Sequence, residues 1–177
     1  VTGHRRPEYY FSVRLLRKGL ANTDDPHNGE GLRSQHLSDG ATYLLTSGGE
    51  YERIFPVWDW ERIPGTTVER NNPPLVEGTV RTEGLRAFAG GVSDGAYGAA
   101  AMDLARGPVK NKRMDERGAT LTARKAWFCF EREIVCLGAG ITGRTDNPVL
   151  TSVNQCLRRG KVSAAEGDKA DGTHALA

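Results

Sequence analysis

Apolar and polar side chains alternate over residues 9–16. Tyr9, Phe11, Val13 and Leu15 fall on one side, and Tyr10, Ser12, Arg14 and Leu16 on the other. Period two marks a strand with one face in a core, because successive side chains of an extended chain point opposite ways. Residues 17–40 lose this pattern and carry turn signals, Asn28-Gly29 and Asp39-Gly40 among them. A second strand is expected over 41–46, closed by Ser47-Gly48-Gly49, then an extended aromatic run over 51–60 that Pro64-Gly65 ends. Pro73-Pro74 marks a further loop. Short strands over 85–88 and 97–104 are expected around Gly90-Gly91 and Asp94-Gly95. A hairpin should join 119–130 to 133–141 across Glu131-Arg132, and a last strand should lie at 149–156. No segment holds the i, i+3, i+4, i+7 spacing for three turns, so helix is marginal. The pattern predicts an all-β chain, most simply a sandwich of antiparallel sheets.

Composition supports this picture. The 177 residues suffice for one domain, and 38% hydrophobic residues with 22 glycines suit a turn-rich β-protein. Twenty-four basic side chains against 22 acidic ones leave a net charge of +2. That balance gives no reason to expect nucleic acid, which needs a concentrated basic face, although a few local cations can still hold an acidic polysaccharide. No apolar stretch approaches the ~20 residues of a membrane helix. Cys129, Cys136 and Cys156 are odd in number and lack metal or redox spacing, so they read as small apolar residues. Segment 105–117 carries Arg106, Lys110, Lys112, Arg113 and Arg117 without apolar pattern. It reads as a solvated connection or, alternatively, a basic arm for a polyanion. The chain starts without Met or a leader and is expected to be partial: residues 1–160 a portion of a β-domain, 161–177 a small-residue, flexible tail.

Two places carry candidate chemistry. In Trp58-Asp59-Trp60-Glu61, period two puts the indoles on one face and the acids on the other. The indoles then serve the core and the acids are solvated. Alternatively Asp59 and Glu61, with Glu69 beyond the turn, offer carboxylate oxygens to a hard cation such as Ca²⁺. Asn28-Gly29 is a common hairpin signal. Asp25, His27 and Glu30 crowd the same loop, and an amide among acids can hold sugar hydroxyls or order an arginine. Trp127 is a candidate sugar platform, although an indole in such a strand commonly packs inward. His4, His27, His36 and His174 show no metal-ligand spacing, and no nucleophile elbow, phosphate loop or zinc cluster is present.

Taken in order, several blocks resemble the central β-domain of polysaccharide lyase family 8, which includes chondroitin AC, hyaluronate and xanthan lyases. They are 7–14 (Pro-Glu-Tyr-Tyr-Phe-Ser-Val-Arg), Asn28-Gly29-Glu30, 38–43 and Pro56-Val57-Trp58-Asp59-Trp60 with Ile63-Pro64-Gly65-Thr66-Thr67. Gly90-Gly91-Val92-Ser93-Asp94-Gly95, 124–128 and 136–141 complete the set. The resemblance implies part of an antiparallel super-sandwich. It also implies cleavage of uronic-acid polysaccharide by β-elimination, with the main catalytic residues on an α/α-toroid domain of the same protein. It makes Asp25, Asn28 and Glu30 this chain's contribution to the catalytic cleft, with Asn28 also a substrate contact. Relatives usually carry Glu at the position of Asp25, and a second Asn expected after Glu30 is Gly31 here. The resemblance implies calcium ligands at Asp59 and Glu61, with Glu69 as the nearest third acid, and a secreted or periplasmic protein. A non-catalytic carbohydrate-binding sandwich is the alternative reading.

Overall fold

The computed structural model describes residues 1–23, 33–70, 82–108, 121–143 and 146–160. Ten strands order as β1 (Thr2–Arg5), β2 (Tyr10–Val13), β3 (Thr42–Leu45), β4 (Thr67–Glu69), β5 (Thr82–Gly84), β6 (Ala89–Ser93), β7 (Gly98–Pro108), β8 (Thr122–Cys129), β9 (Ile134–Thr142) and β10 (Val149–Thr151). They form three sheets: β1-β2-β3, β10-β4, and β5-β7-β8-β9 with β6 also on β7. Every named strand pair is antiparallel.

The core lies between the first and third sheets. Phe11 and Val13 of β2, with Leu16 beyond its end, pack against Ala100, Met102 and Leu104 of β7 and Ala123, Trp127 and Cys129 of β8. Each fully buried large apolar side chain contributes roughly 1.5–3 kcal/mol over its exposed state. Strand β8 alternates as period two requires, with Ala123, Lys125, Trp127 and Cys129 inward. A second cluster gathers Ala41, Ile54, Trp58 and Ile63, with Tyr43, Tyr51 and Trp60 against it.

The antiparallel all-β expectation holds, as does the hairpin over Glu131-Arg132, closed by Phe130 N–H donating to Glu133 O at 2.9 Å. Several elements differ from the sequence pattern. The strand at 9–16 stops at Val13, and Leu16 is fully buried in the core while Leu15 packs half-buried against it. Residues 51–60 are no strand: turns lead into a 3-10 segment, Phe55–Val57, with Pro56 in its first turn and Arg53 at φ 56°. Burying aromatic rings in one local cluster overrides the extended preference there. Gly90-Gly91 lies inside β6 rather than in a turn, because β6 runs so close to β7 that a Cβ on Gly91 would stand 2.6 Å from Ala99 O. Residues 85–88 become the connection into it. Of 149–156 only Val149–Thr151 is a strand. The predicted tail 161–177 lies outside the described residues.

Candidate functional site

Asp25, Asn28 and Glu30 lie outside the described residues, but both ends of their loop are described. Asn22, fully buried, works in three directions. Its Nδ2 donates to Gln35 O at 2.8 Å, its Oδ1 accepts Thr82 N–H at 2.8 Å, and its carbonyl accepts Ser38 Oγ at 2.9 Å. Thr23 Oγ1 and Ser34 Oγ share a further hydrogen bond across the loop's two ends. The base of the 24–32 segment is therefore cross-linked to the start of β5 by side chains that cannot be removed without leaving buried polar groups unpaired.

Beneath this frame sits a buried charge cluster. His36 Nδ1 donates to Asp39 Oδ2 at 2.8 Å, both side chains being wholly inaccessible. Arg106 brings Nη1 within 3.4 Å of the same carboxylate oxygen and donates to Gln35 O at 3.4 Å. Burial pushes the His36 pKa down, against the hydrogen bond it donates to Asp39, so its ring is neutral and Asp39 takes its charge compensation from Arg106. Arg106 thus belongs to β7 and the interior, not to the solvated basic segment expected from sequence; residues 109–117 of that segment are not described. Lys125 donates to Gly65 O, and burial pushes its pKa down to about 8. An inaccessible imidazole cannot exchange protons with a substrate, so the cluster is a support for the loop rather than proton-transfer machinery.

The carboxylates expected to bind a cation are placed otherwise. Asp59 Oδ2 is 3.5 Å from both Arg62 Nε and Arg70 Nη2, and Glu61 Oε2 is 3.8 Å from Arg70 Nε. Glu69 precedes Arg70 at the end of β4 and is fully buried, its carboxylate packed against Gly143. Alternation along an extended chain sends neighbours to opposite sides, so Arg70, not Glu69, reaches the two acids. Among the described residues no three His, Cys, Asp or Glu side chains group to hold a metal ion. Calcium takes six to eight oxygen ligands, and the arrangement around Asp59 and Glu61 does not fit it. The two indoles stack on each other, centroids 6.0 Å apart, and each stacks on Phe55.

Trp127 is 1% exposed, so its indole serves the core and offers no face to a sugar. The cause is its inward register on β8, under Gly40. Gly40 has φ 91°, and a Cβ there would stand 2.9 Å from the indole. A groove of about 350 Å³ lined by Arg5, Arg6, Tyr9, Tyr10 and Leu45 includes none of the site residues expected from sequence. Sequence reading missed Asn22, Ser38, Asp39, Arg106 and Lys125 as a buried network. A signal existed for Lys125, which falls on the inward register between Ala123 and Trp127.

The chain matches polysaccharide lyase family 8, super-sandwich domain, over residues 1–175. It is 40% identical over 166 residues to chondroitinase-AC of Pedobacter heparinus, covering 93% of this chain and 22% of that protein. It is 36% identical over 162 residues to a hyaluronate lyase of Thermasporomyces composti, covering 86% and 18%. A chondroitinase AC lyase structure, its active site revealed by oligosaccharide complexes and mutagenesis, superposes with TM-score 0.73 at 39% identity, covering 93% of this chain and 23% of that one. The chain spans about a fifth of the length of these relatives. An antiparallel β-fold, matched along nearly its whole length by lyases of a single kind, makes this chain a member of polysaccharide lyase family 8.

Proposed function

We propose that this chain is the β-domain portion of an enzyme that cleaves uronic-acid-containing, glycosaminoglycan-like polysaccharide by β-elimination. The observation that carries this reading is similarity over 93% of the chain to a chondroitinase, at 40% identity. The C5 proton of a uronate is weakly acidic until its carboxylate charge is neutralised by hydrogen bonds, which stabilises an enolate-like intermediate. A tyrosinate, its pKa lowered by neighbouring Arg and His, takes that proton and returns it to the leaving oxygen. Those groups belong to a helical toroid domain of the same protein, and this chain forms the facing wall of the cleft. Asp25, Asn28 and Glu30 meet substrate there, on a loop whose ends are fixed by Asn22, Thr23 and Ser34. Because the substrates are extracellular polymers, the enzyme is exported to the periplasm or medium.

The test is Asn28→Ala in the full enzyme, assayed by ultraviolet absorbance of the unsaturated uronate product. Turnover should fall at least tenfold with the thermal transition unchanged, as for a lost substrate-polarising contact. An unchanged rate removes Asn28 from the cleft.

A further inference from the structure

The corner formed by residues 59–62, Arg70 and Gln155 has the build of a charge-stapled junction. Two neighbouring stretches meet a third, Gln155, that lies far along the chain. Gln155 accepts Asp59 N–H at 2.8 Å through Oε1, and donates through Nε2 to the carbonyls of Asp59 and Arg62, each at 3.1 Å. Backbone carbonyls of this kind are common calcium ligands, and here they are already engaged. Asp59 Oδ1 accepts Glu61 N–H at 3.0 Å, which directs Oδ2 to the two arginines. Arg70 itself is held by its own N–H donating to Pro148 O at 2.9 Å. Among the described residues two acids face two guanidiniums at this corner, so their formal charges balance.

We propose that Arg70 is a built-in cation at this junction, its guanidinium bridging Asp59 and Glu61 in the role a calcium ion would fill, so that this domain is stapled without metal. An arginine suits the task because it stays charged at any physiological pH and presents several donors in a fixed plane. Its side chain is 42% exposed and those of Asp59 and Glu61 are 36% and 22% exposed, so the staple is weakened by salt, as a buried metal site would not be.

The experiment is calorimetry on the full-length protein in excess EDTA and in millimolar CaCl2. Wild type should unfold at the same temperature in both. Arg70→Asp, which sets a third carboxylate beside Asp59 and Glu61, should unfold lower in EDTA and rise by about 3 °C or more with CaCl2, since a ligand that binds only the native state stabilises it. A wild-type transition that falls in EDTA, recovers with CaCl2, and loses that response on Asp59→Asn overturns the proposal. Should Arg70→Asp fail to fold, Arg70→Met decides. It removes the bridging cation and leaves Arg62 on Asp59 with Glu61 close by, so adding Glu61→Gln to it should raise the transition temperature. No rise would overturn the guanidinium's bridging role.

Discussion

At the scale of single residues, the interior of this domain is set by how charge is neutralised. His36 donates a hydrogen bond to Asp39 and stays neutral because burial outweighs the carboxylate beside it. Its native pKa lies below the ordinary value near 6.5, so in acid the unfolded chain binds a proton that the folded chain refuses. Stability is then fully present above about pH 6.5 and falls as pH drops below it, by up to about 1.4 kcal/mol per pH unit until the native pKa is reached. Urea unfolding at about pH 7 and about pH 5.5 should show this loss, and His36→Gln should shrink the difference between the two. Equal pH dependence in both proteins would mean that His36 is not buried neutral.

Among elements, β8 carries the most weight, since its inward register supplies Ala123, Lys125, Trp127 and Cys129 to one face. Trp127 lies against Gly40 and Met102 and under Lys125, whose ammonium stands 5.5 Å from the ring. Trp127→Ala should cost about 3–5 kcal/mol in denaturant unfolding, because the cavity cannot collapse between two sheets. A loss below about 1 kcal/mol would place the indole outside the packed core. The neighbouring β6 shows why glycines need not mean a turn. Gly91 opposes Ala100, and its missing side chain is what permits the approach to Ala99 O.

For the whole molecule, the outer face of the large sheet stays open among the described residues. Val92, Ala99, Phe128 and Val135 align across four strands, with Val92 75% exposed, and Leu137 beside them is 55% exposed. The chain also spans about a fifth of its relatives. If proton transfer is supplied by another domain, as proposed, residues 1–177 alone should give no ultraviolet-absorbing product from chondroitin or hyaluronan. Measurable turnover by this chain would relocate the chemistry onto the β-domain.

Period-two alternation over 9–16, with the hairpin signal between 119–130 and 133–141, pointed by itself to half-buried β-strands, because successive side chains of an extended chain face opposite ways. The ordered blocks around Pro7, Asn28, Trp58 and Gly90 were enough to suggest the lyase family before any coordinates. Tertiary structure decided the rest. Residues 51–60 look extended in sequence, yet packing Tyr51, Phe55, Trp58 and Trp60 into one cluster bends them into turns. Arg106 reads as part of a basic run, yet Asp39, 67 residues earlier, draws it inside. Asp59, Glu61 and Glu69 read as a cation site, while one step of strand alternation turns Glu69 away and brings Arg70 to the other two. Local periodicity is written in neighbouring residues, whereas the partner of a charge is fixed only when distant strands are brought side by side.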